Sequence, residues 1–177
     1  MSSAVDPLDQ EAARGEACEH ALRELAPAEL AAWRGMLRVH AALVKALDAE
    51  LVRAHDLPLI SYEVLITLDA APGRKRRMAE LAESVLLSRS GTTRLVDRLE
   101  REGLLARENC EDDGRGSFAV LTEQGAELLA HARATHLDGV RERFLRHFDE
   151  DELRTLASAW ERVLPGSARI EDLSPGD

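Results

Sequence analysis

Residues 86–122 most constrain what this chain can fold into, because they predict a helix, a glycine stop and a hairpin in that order. Ser88 is predicted to cap the helix, since its hydroxyl can accept a hydrogen bond from a free backbone N–H of the first turn. Gly103 is predicted to end the helix, where a left-handed residue is needed. Apolar or small positions recur at helical spacing and predict a core-facing side: Thr92, Leu95, Val96 and Leu99.

The hairpin is predicted from residues 104–109 and 117–121, which flank a charged, glycine-rich turn. Arg115 lies between two glycines at the turn, where its side chain can extend into a minor groove. Asp113 precedes it by two residues and can fix that side chain or an arginine of the helix. The alternative is an exposed hairpin whose salt bridge contributes little.

The polar side of the predicted helix combines hydroxyl groups with guanidinium groups. Short polar side chains let a helix approach the major groove closely, and arginine can grip guanine or phosphate. An ordinary solvated helix face is the alternative, but a helix, a glycine and an arginine-tipped hairpin are together typical of a winged helix-turn-helix. The polar residues are Arg89, Ser90, Thr93, Arg94, Asp97 and Arg101.

The motif Asp113-Gly-Arg115, followed by Leu121-Thr122, resembles the wing motif of the MarR (multiple antibiotic resistance) regulators. Residues 87–104 resemble the recognition helix of that family, and the resemblance extends over roughly residues 31–164. It implies a homodimer that binds double-stranded DNA at a pseudo-palindromic operator. Many such regulators release DNA when a small aromatic or phenolic acid, or an oxidant, acts on them.

The composition favours a mainly helical protein. Together with the predicted hairpin and the family resemblance, the expected fold is mainly α with a small β wing: a winged helix-turn-helix domain plus N- and C-terminal helices that form a dimerisation region. The chain has 177 residues, of which 45% are hydrophobic and only 3% aromatic, and Ala, Leu, Arg and Glu dominate. No apolar run reaches the roughly 18 residues of a membrane helix. Residues 1–7 lack the basic and apolar blocks of a signal peptide, so a cytoplasmic protein is expected.

Five segments are expected. Residues 1–27 form an extension with an extra helix, 28–60 a dimerisation helix, 61–121 the winged domain, 122–165 the C-terminal dimerisation helices, and 166–177 a flexible tail. Ser61 is predicted to cap the helix after Pro58, and Thr122 a helix that runs to His147.

The net charge of −10 is an objection to DNA binding, because phosphate contacts supply most of the affinity. Residues 73–116, however, carry ten Lys and Arg against nine Asp and Glu, a formal charge of +1, so the rest of the chain carries −11. The arginines are thus concentrated where DNA is expected.

The predicted DNA-binding residues come from the helix, the wing and the basic run before them. Arg98 is expected to contact the DNA backbone or pair with Asp113. The basic run is expected to touch phosphates or to cap a third strand of the wing sheet, with a solvated loop as the alternative. The full set is Ser88, Arg89, Ser90, Thr92, Thr93, Arg94, Arg98, Asp113, Arg115, Arg74, Lys75 and Arg76.

An effector pocket is implied by the family resemblance alone. In similar proteins it lies between the dimerisation helices and the DNA-binding lobe, where this chain has Trp33, Arg38, His40 and Tyr62. Each of the four also has a structural interpretation, as a core, interface or surface residue.

No cofactor, metal site or enzymatic activity is expected. His131 and His136 are five residues apart, which does not place both on one helix face, and both are expected to be solvated. Cys18 and Cys110 form no metal or disulfide motif. Cys110 lies near Arg107 and Arg115 in the sequence, and a redox-responsive regulator that acts through Cys110 is an alternative function. A dimeric protein-interaction module is the alternative from another functional class.

Overall fold

The computed structural model describes residues 25–84, 89–109 and 117–167, and for Arg89, Ser90 and Asn109 the backbone alone. Several predictions fall outside these residues: the extra N-terminal helix, the Ser88 cap, both cysteines, Asp113, Arg115 and the C-terminal tail.

The predicted fold class, mainly helical with a small sheet, is confirmed. Two 3-10 segments, Pro72–Arg74 and Leu145–His147, accompany the main elements. In chain order the helices and strands of the described residues are α1 (Pro27–His55), α2 (Leu59–Asp69), β1 (Lys75–Arg77), α3 (Met78–Ser84), α4 (Arg89–Arg101), β2 (Leu105–Asn109), β3 (Ser117–Leu121), α5 (Glu123–Arg143) and α6 (Glu150–Val163).

The sheet is antiparallel with strand order β1-β3-β2. Leu105 faces Leu121 across β2 and β3, and Lys75 faces Val120 across β1 and β3. Alternation along β3 buries Ala119 and Leu121, so one side of the wing closes a hydrophobic core. The basic run therefore supplies the third strand itself, through Lys75–Arg77.

The core gathers leucines and valines from α2, α4, the sheet and α5. Val64, Leu65 and Leu68 of α2 are fully buried, as the spacing of the apolar residues in this helix requires. The C-terminal half of α1 contributes Leu47 and Leu51 to the same cluster.

Helix α2 begins earlier than expected, at Leu59, so the prediction that Ser61 caps it is wrong. Pro58 occupies the capping position with φ −59° and ψ 145° and has no side-chain cap. The carboxylate of Asp48 in α1 instead accepts from the Leu59 backbone N–H at 2.8 Å. A distant carboxylate thus satisfies one free donor of the helix end, and Ser61 is buried inside the helix.

The predicted caps further along the chain are confirmed. The Thr122 hydroxyl accepts from the Gly125 N–H at 3.0 Å, and Asp149 with Glu152 forms a capping box at the start of α6. Helix α5 is shorter than expected, however. It ends at Arg143, and a 3-10 turn then brings the rings of Phe144 and Phe148 to 5.0 Å.

The chain divides into two compact units, residues 1–42 and 43–177, and the winged domain lies in the second. In the first unit, Trp33 and Leu37 are about half exposed on α1. In the second unit, large apolar side chains are exposed at the end of α6: Val163 is 75% exposed, and Leu164, just after the helix, is 65% exposed. None of the described helices has the length and apolar character needed to cross a bilayer.

Candidate nucleic-acid interface

Helix α4 is fixed to the domain by its apolar side and by its C-terminal turn. Val96 and Leu99 are fully buried. Gly103 has φ 74° and donates its N–H to the Glu100 carbonyl at 3.0 Å, while the Leu104 N–H reaches the Leu99 carbonyl at 2.9 Å. This is a Schellman motif, so the predicted glycine stop is confirmed.

The outer side of α4 presents Thr93 and Arg94, which are both exposed. Thr92 is different. It is 1% exposed, so the prediction that it faces DNA is wrong and its helical spacing toward the core is the correct interpretation. Helix α3 packs against the first turns of α4. Between the two helices lies a small cleft of about 190 Å³, which is lined by Met78, Ala79, Ala82, Thr92 and Thr93.

Arg98 holds α4 against α2. Its Nη2 donates to the buried Ser61 Oγ at 2.5 Å, and its Nε lies 3.8 Å from a Glu102 carboxylate oxygen. A buried hydroxyl without a partner would be costly, so this contact stabilises the seat of α4. Nothing in the local sequence indicated that Ser61 and Arg98, which lie 37 residues apart, would meet.

Arg107 of β2 is a site residue that the sequence interpretation missed. Its Nη2 donates to Asp97 Oδ1 at 2.5 Å and its Nη1 to Glu100 Oε2 at 2.8 Å. Its backbone N–H also donates to Glu100 Oε1 at 3.2 Å. We call these three residues the Arg107 cluster. The only signal in the sequence was a pair of carboxylates three residues apart in a predicted helix, followed by an arginine in a predicted strand. This pattern is too common in helical proteins to indicate a contact.

The basic strand is partly engaged in contacts with the rest of the winged domain. Lys75 Nζ lies 3.6 Å from a Glu108 oxygen, and both Lys75 and Arg77 lie 5.3 Å from the centre of the Phe118 ring. Arg74 lies 3.3 Å from Asp69 and 3.5 Å from Glu123. Because Lys75 and Arg74 remain nearly half exposed, these cations keep a solvent-facing side.

The four effector candidates differ in exposure. Trp33, Arg38 and His40 are exposed on α1, whereas Tyr62 is 2% exposed within α2. Burial raises the pKa of the Tyr62 phenol, against the opposing effect of the Arg133 guanidinium.

His136 of α5 corrects the expectation that both histidines of this helix are solvated. His131 is exposed, but His136 is half-buried, with its ring centre 4.6 Å from that of Tyr62. Burial lowers the pKa of His136. Its Nδ1 is buried and has no hydrogen-bond partner among the described residues.

Two known structures resemble this chain in fold and in sequence. AbsC, a MarR family transcriptional regulator from Streptomyces coelicolor, is 34% identical, with a TM-score of 0.75 over 78% of this chain and 93% of that chain. Sco3205, a MarR family regulator from the same organism whose structure is a complex with DNA, is also 34% identical. Its TM-score is 0.76 over 85% of this chain and 97% of its own.

Sequence comparison agrees. A transcriptional repressor of Escherichia coli, MprA, is 30% identical over 80 residues, or 45% of this chain. That match spans 46% of the repressor's own length. A family model described as the MarR family matches residues 55–116, which include α2, α4 and the first strand of the hairpin. The chain belongs to the MarR family of transcriptional regulators.

Proposed function

We propose that this protein is a sequence-specific, double-stranded DNA-binding transcriptional regulator that acts as a homodimer on a pseudo-palindromic operator. The observation that carries the proposal is the seating of α4. Its apolar side is locked into the winged core, and Thr93 and Arg94 are exposed on the opposite side. A rigid helix that presents a hydroxyl and a guanidinium suits reading of base edges in a major groove.

Two further observations support DNA as the ligand. The structure of the similar Sco3205 is a complex with DNA. In this chain, cations are concentrated between residues 73 and 116, which carry a formal charge of +1 within a chain of −10. At contact range the local charge decides the interaction, because salt screens charges beyond about 8–10 Å.

The homodimer is supported by apolar surface that the second unit leaves exposed. Trp160 and Val163 of α6 are 40% and 75% exposed, and Leu164, which follows the last residue of the helix, is 65% exposed. The three-residue spacing of Trp160 and Val163 places both along one side of this amphipathic helix. A second copy of the chain that covers this side would remove it from water, which is the main driving force of association.

In such a dimer, two copies of α4 enter successive major grooves about one turn apart, roughly 34 Å. Arg89, Ser90, Thr93 and Arg94 supply the base and phosphate contacts, and Arg115 reaches the flanking minor groove, which attracts guanidinium where it is narrow. Binding at a promoter would exclude polymerase and so repress transcription, which agrees with the similarity to the transcriptional repressor MprA. We expect a small aromatic or phenolic acid to regulate the protein by releasing it from DNA.

The test is a fluorescence-anisotropy titration of the purified protein against its own upstream intergenic DNA and a scrambled duplex of equal length, at two salt concentrations. Tighter binding to the intergenic DNA, weakened by salt, is expected because counterions are released on phosphate contact. Equal affinity for both duplexes at both salts, across tiled fragments of the intergenic region, would contradict sequence-specific binding there. It would favour a protein-interaction module instead.

A further inference from the structure

In the Arg107 cluster, one arginine of β2 forms ion pairs with two acidic side chains of α4. The Arg107 side chain is 29% exposed, against 46% for Asp97 and 37% for Glu100. Hydrogen bonds between ionised groups are stronger than neutral ones, and partial shielding from water preserves more of their energy than a fully exposed pair keeps.

The position of these carboxylates on the helix matters for DNA binding. Asp97 follows Thr93 by one helical turn, so its side chain lies on the same side of α4 as the proposed base contacts. A carboxylate released from its partner there would face the phosphate backbone. Like charges at such distances repel, and phosphate contacts supply much of the affinity, so a free Asp97 would weaken binding.

Arg107 removes this repulsion in two ways. Its positive charge offsets the nearest negative charges, and its two Nη donors turn the carboxylates toward β2. The backbone N–H of Arg107 holds the second oxygen of Glu100. A lysine could not do the same, because a single ammonium lacks the planar fork that serves two acceptors at fixed positions.

We propose that Arg107 is a positioning residue for DNA binding, which holds Asp97 and Glu100 away from the phosphates and masks their charge. It acts through these carboxylates and does not itself contact DNA. The inference rests on the proposed DNA-binding function.

The experiment measures the affinity of Arg107→Met for the intergenic and scrambled duplexes, beside the wild type, at two salt concentrations. A loss of about tenfold at low salt is expected, since the two unmasked carboxylates then repel the phosphate backbone. The triple variant Arg107→Met, Asp97→Asn, Glu100→Gln should bind within about threefold of the wild type, because the exposed charges are gone.

Arg154→Met is the matched control. Arg154 also bridges two carboxylates, those of Glu150 and Asp151, but on α6. Its loss is expected to leave DNA affinity unchanged. Circular dichroism and thermal unfolding of every variant show whether the fold is retained.

Three results would overturn the inference. One is wild-type affinity in Arg107→Met. Another is a loss of DNA affinity in Arg107→Met that the triple variant does not recover, together with a lower dependence of affinity on salt. A slope of log affinity against log salt concentration that is lower by about one unit marks a direct phosphate contact. If Arg107→Met does not fold, the double variant Asp97→Asn, Glu100→Gln decides: it should bind at least as tightly as the wild type, and weaker binding is the third contradicting result. A wild type without affinity for any duplex would instead refute the proposed function.

Discussion

Arg94 shows what a single residue can contribute to this surface. It is exposed on α4, beside Thr93, while Val96 and Leu99 on the other side of the same helix are fully buried. Its guanidinium is thus presented by a helix that cannot rotate without exposing the core, so the direction of the side chain is restricted.

Arg94→Ala is expected to cost about 1–3 kcal/mol at the specific site and to relax base preference there. Arg101→Ala is the matched control: it removes the same charge from the same helix, but Arg101 is bound through its Nε to the Asp97 carbonyl at 3.1 Å. Anisotropy titrations on operator duplexes with single base changes compare the two. An identical base preference in Arg94→Ala and the wild type would show that Arg94 does not read sequence.

His136 gives a second prediction at this scale, for stability against pH. Burial lowers the pKa of His136 in the folded protein below its ordinary value. Between these two pKa values the unfolded chain binds a proton that the folded chain does not. The stability contribution is therefore complete above the ordinary pKa, about 6.5, and is lost as pH falls from there through the folded pKa.

Urea unfolding at pH 7.5 and pH 5.5 tests this, with His136→Asn as the variant and His131→Asn, an exposed histidine of the same helix, as the control. The wild type and His131→Asn should lose more stability on acidification than His136→Asn does. Equal losses in all three proteins would mean that His136 does not contribute to the pH dependence.

The junction between α4 and α5 depends on caps and glycines. Thr122 accepts from the Gly125 N–H at 3.0 Å and donates its hydroxyl to the Gly103 carbonyl at 2.7 Å. A Cβ on Gly125 would lie 2.0 Å from the Leu104 carbonyl oxygen, so only glycine allows α5 to approach so closely. One threonine and two glycines therefore bring the end of α4 and the start of α5 together.

Thr122→Ala is expected to lower the free energy of unfolding by about 1–2 kcal/mol, because both hydroxyl contacts and the cap are lost. Thr122→Ser keeps the hydroxyl and should retain most of the stability. Chemical denaturation of both variants makes the comparison. A serine variant as unstable as the alanine variant would assign the effect to the lost methyl group rather than to the cap.

At the scale of the whole molecule, the exposed apolar side of α6 is the feature that requires an explanation. A helix of a folded monomer normally covers its apolar stripe, and Val163 and Leu164 are the most exposed large apolar residues described in this chain. We attribute this exposure to a partner subunit.

Val163→Asp is expected to raise the dimer dissociation constant about tenfold or more, since it removes a buried apolar contact and places a charge in the interface. Ser158→Asp adds the same charge to the opposite side of α6 and is expected to leave the dimer intact. Light scattering across a dilution series measures both. A wild type that is monomeric at micromolar concentration would contradict the proposed homodimer.

The sequence alone determined the features that depend on local physics. The Gly103 stop, the Thr122 cap, the Asp149–Glu152 box and the apolar side of α4 follow from backbone geometry and helical spacing within a few residues. The order of helix, glycine and hairpin, and with it the winged fold, follows from the same rules.

The tertiary structure decided the partners of the polar side chains. Ser61 meets Arg98 across 37 residues, and Asp48 caps α2 from α1. Arg107 takes both carboxylates of α4, and His136 packs on Tyr62. These contacts join separate elements, so no local pattern contains them. A polar side chain that becomes buried or shielded must find a partner, and only the packing of the elements determines which partner is within reach.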